Sequence, residues 1–188
     1  MKALKKIRRA HFLLALLAVV AIGAMGCGSD TATAPTAVTP VAAGADPGTG
    51  IFGTITAEVL EALTRGIQDE YHAENVYLKV IEDFGEVQPF YNIVYAEERH
   101  SEAIAKVFTN NGLPVPASEW NIGNVPAFAS LTEACAGAVQ AEIENIALYD
   151  EFLTWDLPQD VRNVFTNIRA ASLEQHLPAF EACCLCNQ

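Results

Sequence analysis

Two stretches of this chain, residues 70–100 and 142–176, carry similar side chains in the same order, and no other feature constrains the fold as strongly. Glu70 is followed seven residues on by Tyr77, and Glu97-Glu98-Arg99-His100 comes later. Glu142 is followed seven residues on by Tyr149, and Leu173-Glu174-Gln175-His176 comes later. An α-helix turns once in about 3.6 residues, so positions i and i+3 share a face and i and i+7 lie on one stripe two turns apart. The repeat therefore aims carboxylates and imidazoles from four helices at one place.

The pattern around those residues supports the helices. From Thr56 to Phe84 the positions Leu60, Leu63, Ile67, Ala73, Tyr77, Ile81 and Phe84 recur near helical period, and Gly85 stops the run. Pro89 suits a second helix start, continued by Phe90, Ile93, Val94, Ile104 and Val107 until Asn110-Asn111-Gly112. Residues 113–129 hold three prolines, one glycine and two asparagines, which forbid a long helix and mark a crossover. Ser130-Leu131-Thr132-Glu133 has the form of a capping box opening a third helix, predicted to reach about Trp155. Pro158 opens a fourth, with Val161, Val164, Ile168, Leu173 and Phe180 at helical spacing, and Pro178 should kink or loosen its last turns. No stretch alternates as a strand. The expected fold is all-α, an antiparallel four-helix bundle of two helical hairpins joined by one long crossover, which is ferritin-like connectivity.

In that arrangement Glu70 lies on the stripe of Leu63, Ile67 and Tyr77, and Glu142 on the stripe of Cys135, Ala138, Asn145 and Tyr149. Glu97 and His100 share a stripe with Ile93 and Ile104, and His176 shares one with Ile168, Leu173 and Phe180. Burying several ionised carboxylates without a cation is prohibitive, so something positive should neutralise them. A lone helical Glu is usually solvated and a lone core His usually only hydrogen-bonded; here five candidates fall on core stripes in a repeated order. Iron, manganese or zinc accepts carboxylate oxygen and imidazole nitrogen together. Glu98, Glu144 and Glu174 fall off the inward stripes and read as solvated.

The N-terminal part reads differently. Five basic residues precede an apolar run from Phe12 to Ala24, too short to span a bilayer comfortably, which is the form of a secretory signal over residues 1–26. Ala24-Met25-Gly26-Cys27 resembles a bacterial lipoprotein box, which implies lipidation of Cys27 and a lipid bilayer as partner; Arg8-Arg9 leaves a twin-arginine route open. Residues 27–50 are Thr, Ala, Pro and Gly with almost no large apolar side chain, a flexible tether. Residues 51–188 suffice for one domain with its own core. Beyond the signal, 23 acidic residues face six basic ones, so nucleic acid is an unsuitable partner. The expected place is outside the cytoplasm, anchored to a bacterial membrane.

Glu70 with Tyr77, Glu97-x-x-His100, Glu142 with Tyr149, and His176 resemble the ferritin-like superfamily, whose rubrerythrin and ferritin members hold a di-iron centre between four helices. Glu70 with Val76-Tyr77, Ala96-Glu97-Glu98-Arg99-His100 and His176-Leu177-Pro178-Ala179-Phe180 are similar to a largely uncharacterised prokaryotic ferritin-like family. The likeness covers about residues 55–182. It implies Glu70, Glu97, His100, Glu142 and His176 as ligands of iron or a similar divalent metal, with ferroxidase or peroxide-reducing chemistry if the protein is an enzyme. One ligand of the family pattern is absent: Leu173 stands three residues before His176, where a di-iron protein would place Glu. Ser172, four residues before His176, faces the site only weakly in a regular helix, and Arg169 lies two turns before it, where its guanidinium would compete for carboxylates. One metal, or an unequal pair, is therefore expected. Glu74, one turn beyond Glu70, is a further candidate ligand, and Tyr77 and Tyr149 are candidates for hydrogen bonds to ligand carboxylates.

Cys135 lies seven residues before Glu142 and Cys183 seven after His176, so antiparallel helices bring both sulfurs to one level about 10 Å from the metal. A Cys135–Cys183 disulfide is expected, with Cys184 as the alternative partner, in an oxidising compartment. Cys183-Cys184-x-Cys186 lacks the paired Cys-x-x-Cys of a rubredoxin iron site, so redox turnover would need an external electron donor. Two other readings stay open: non-catalytic metal capture or sensing, and a metal-free structural or interaction lipoprotein.

Overall fold

The computed structural model describes residues 54–186, and the expected signal, the Cys27 junction and the tether lie outside the described residues. Thr56 caps the first helix, its Oγ1 accepting from the Val59 N–H at 3.2 Å, and α1 runs over Ala57–Phe84. Gly85 ends it at φ 87°, a left-handed backbone that glycine adopts without steric penalty. Helix α2 follows over Phe90–Asn110 and stops at Asn111 and Gly112, the latter at φ 67°.

The crossover reaches Ser130, whose Oγ accepts from the Glu133 N–H at 3.2 Å and starts α3, Leu131–Phe152. Glu133 returns the bond one residue earlier than a capping box would, accepting from the Ala129 N–H at 3.1 Å. Helix α3 ends at Phe152 rather than near Trp155, because Arg162 closes the turn: its guanidinium donates to the Leu153 and Trp155 carbonyls, each at 2.8 Å.

The fourth rod departs most from expectation. Helix α4, Gln159–Ala171, passes without a break into a π-helical turn, Ser172–His176, and then into α5, Leu177–Cys186. In the π turn the Leu177 N–H bonds the Ser172 carbonyl, five residues back instead of four. Pro178 has no N–H, and its ring crowds the carbonyl four residues before it; widening the turn upstream accommodates that ring without breaking the rod. The extra residue shifts the register of everything before it, so Leu173 is 39% exposed while Ser172 is 1% exposed. The expectation that Leu173 lines the interior is thus corrected: Ser172 takes that place.

The described residues form four helical rods and no strand. Helix α1 packs along α2, and α3 along α4, the π turn and α5. Two apolar clusters fill the interior. One gathers Leu63, Ile67, Ile104, Phe152 and Phe165. The other gathers Val80, Phe90, Ala138 and Phe180 with the Cys135–Cys183 disulfide, whose Cα atoms are 5.8 Å apart. A layer of buried polar side chains separates the clusters. Over it folds the crossover, pinned to α1 by Gln68, which donates to the Ala117 carbonyl at 2.8 Å and accepts from the Glu119 N–H at 3.0 Å.

Candidate metal centre

The polar layer consists of Glu70 from α1, Glu97 and His100 from α2, Glu142 and Asn145 from α3, and Ser172 and His176 from the π turn. Glu70 has no exposed surface, and Glu97 and Glu142 are each 2% exposed. Carboxylates that deep demand donors or cations, and the helices provide donors reciprocally. Tyr149 of α3 donates to Glu70 Oε1 of α1 at 2.6 Å, while Tyr77 of α1 donates to Glu142 Oε1 of α3 at 2.7 Å. Each helix thus carries a carboxylate and, two turns on, the phenol that holds its partner's carboxylate. Gly66, one turn before Glu70, makes room for this: a Cβ there would stand 3.3 Å from the Tyr149 hydroxyl.

The remaining oxygens face imidazoles. His100 Nδ1 lies 3.0 Å from Glu70 Oε2 and 3.1 Å from Glu97 Oε2. His176 Nδ1 lies 3.1 Å from Glu97 Oε1 and 3.5 Å from Glu142 Oε2. Neither of these last contacts is aligned as a hydrogen bond, so Glu97 Oε1 and His176 Nδ1 are buried polar atoms without a hydrogen-bond partner. The two imidazoles stack, with centroids 5.4 Å apart. The result is two groups of three, Glu70–Glu97–His100 and Glu97–Glu142–His176, each with its ligand atoms within 4.8 Å of one another. Glu97 belongs to both, presenting one oxygen to each imidazole.

Proton affinities follow from this crowding. Burial pushes Glu70 up to about 7, against the pull of the nearby His100. Burial would also raise Glu97, but two imidazoles outweigh it and hold the carboxylate down at about 2. For His100 and His176 burial favours the neutral ring; carboxylates on both sides overcome it, raising them to about 10 and about 9. Without metal, imidazolium protons therefore supply the positive charge beside Glu97. A divalent cation would displace those protons, and the donor set of three carboxylates and two imidazoles is chemically suited to one. The two unpartnered atoms facing each other are what such an ion would satisfy.

All five sequence-predicted ligands meet in this layer, and Tyr77 and Tyr149 hold two of the carboxylates. Glu74 does not join either group; it is half-buried beside Glu98 on the α1–α2 side. Arg169 stays away as well. It pairs with Asp150 at the surface, because the π turn rotates α4 relative to His176. Sequence reasoning passed over Asn145 as a ligand-positioning group. Its amide donates to Asp69 at 2.8 Å and to Glu70 at 3.0 Å, and its carbonyl accepts from the Ser172 hydroxyl at 2.8 Å. The signal was present in its position, three residues after Glu142 on the same stripe. Asp69, by contrast, sits beside Glu70 on no inward stripe, and burial raises it to about 6 despite that amide.

No family model matches the chain, and no curated protein does. A solved structure of a hypothetical protein from Methanococcus jannaschii is similar to it, with a TM-score of 0.64 and 22% identity, covering 71% of this chain and 83% of that one. At that identity the likeness speaks to the fold alone.

Proposed function

We propose that this chain is a ferritin-like, antiparallel four-helix bundle that binds iron or a similar divalent metal through Glu70, Glu97, His100, Glu142 and His176. The reciprocal Tyr–Glu bonds support the antiparallel reading. A Glu and a Tyr seven residues later on each of two helices meet crosswise only if the helices run in opposite directions. Two short-linked helix pairs joined by the crossover support ferritin-like connectivity. The observation that carries the metal reading is Glu97, whose two oxygens face two imidazoles, with Glu97 Oε1 and His176 Nδ1 buried and 3.1 Å apart without a hydrogen bond between them.

The shared carboxylate would serve one ion or an unequal pair, since Ser172 stands where a fourth acid would otherwise project. A bound iron would supply redox chemistry toward oxygen or peroxide. The chain's own residues hold and orient: Tyr77 and Tyr149 fix two carboxylates, and Asn145 links Glu70 to Ser172. Export and lipid anchoring through Cys27 remain part of the proposal on the strength of the N-terminal sequence, with the electron donor supplied from outside. Non-catalytic capture is the second reading, favoured by the serine where a fourth carboxylate would serve an oxidised pair.

The test is elemental analysis of protein purified without chelator, combined with anomalous scattering from its crystals. Metal bound among Glu70, Glu97, His100, Glu142 and His176 is the expected result, and a protein that neither carries nor retains added iron would end the reading. Oxygen or peroxide consumption with ferrous iron then separates catalysis from capture.

A further inference from the structure

A cleft between α1 and α3 approaches the polar layer from outside. It offers about 60 Å³ to water-sized molecules, and Asp69, His72 and Glu144 line it together with Glu97, Glu142 and Asn145. Burial grades along it: Glu144 is exposed, Asp69 and His72 are half-buried, and Glu97 and Glu142 are buried. Ala73 and Ala141 also line it, side chains small enough to leave the gap. A water molecule needs roughly 10–15 Å³ of such space, so a few waters or a partly hydrated ion fit.

One observation ties this cleft to a cation instead of to solvent alone. Glu97, at its buried end, has an oxygen with no hydrogen-bond partner. The Asn145 amide spans from Asp69 at the mouth to Glu70 within, at 2.8 and 3.0 Å, so outer and inner acids are mechanically joined. One wall is fixed by the crossover, where the Trp120 ring sits 4.3 Å from that of His72. A narrow cleft walled by one sign of charge concentrates counter-ions and speeds their arrival. A neutral molecule such as dioxygen would gain nothing from the acids.

We propose that this cleft is the entry route for divalent cations, with Asp69 and Glu144 docking the hydrated ion before it passes to Glu97. The proposal rests on the metal reading above and adds a path to it. The probe is cobalt(II), mixed rapidly with the metal-free protein and followed by its absorption. Asp69→Asn combined with Glu144→Gln should slow loading roughly tenfold at low salt while final occupancy stays that of the wild type, and the slowing should shrink in 0.5 M salt, where exposed charges are screened. Ala141→Leu or Ala73→Leu, which narrow the cleft with carbon, should slow loading at any salt. Wild-type loading rates in the charge variant and in both leucine variants would overturn the route. So would reduced final occupancy at an unchanged rate, which would make Asp69 part of the centre itself. A wild-type protein that takes up neither cobalt nor ferrous iron would instead remove the metal reading, and the route with it, before any variant is made.

Discussion

The two helix pairs that meet at the centre supply it by different means. Helices α1 and α2 deliver Glu70, Glu97 and His100 from regular α-helix, with Glu97 and His100 three residues apart on one face. Helix α3 and the fourth rod deliver Glu142 and His176, and there the helix widens into a π turn that carries His176 and buries Ser172 behind it. The repeat seen in the chain is thus kept in its Glu–Tyr half and altered in its Glu-x-x-His half. A one-residue change of helical register is enough to decide which side chain joins a buried charge layer, and regular periodicity cannot foresee it.

The sharpest way to test the comparison is at the residue both halves share. Glu97→Ala should abolish metal retention altogether, measured by elemental analysis after dialysis, since both groups lose a ligand. Retention of one ion per chain would mean that one half is sufficient without it.

The reciprocal phenols come next. Tyr77→Phe and Tyr149→Phe each leave a buried carboxylate short of a donor, a loss of about 1–3 kcal/mol in denaturant unfolding. Tyr149→Phe should be the milder of the two, because Asn145 still donates to the same Glu70 oxygen. Equal effects would show that the amide contributes little there.

A smaller effect separates the metal-free state from the loaded one. His100 and His176 have their ordinary value of 6.5 raised to about 10 and about 9, so the folded state binds their protons more tightly than the unfolded chain. Their contribution to stability is full below pH 6.5 and disappears as pH rises through 9 to 10. Melting temperature of the metal-free protein should fall across that window, and added metal should flatten the fall. A flat metal-free profile would contradict the ion pairing described at Glu97.

The smallest expected effect sharpens the account of the π turn. In a regular helix Leu173→Glu would restore a carboxylate three residues before His176; here it alters an exposed position and should change stability by less than about 0.5 kcal/mol and metal stoichiometry not at all. A gain in bound metal would place residue 173 inside after all.

How far the sequence could be read follows from the same physics. The stop at Gly85 and the cap at Ser130 were legible because they act locally, and so were the stripes of Glu70, Glu97, His100 and Glu142. The meeting of Cys135 with Cys183 was legible from spacing along opposed helices. What escaped was set by tertiary context: Arg162 closing α3 early, Arg169 turning to Asp150, and Asp69, whose burial depends on α3 and not on its own stripe.

Gly66 contributes no atom to the centre, yet it governs one of its acids. A methyl there would push on the Tyr149 hydroxyl, the donor that anchors a carboxylate with no exposed surface. Where the Glu70 carboxylate sits is thus set partly by an absent side chain one turn below, a control point that no survey of polar residues would find.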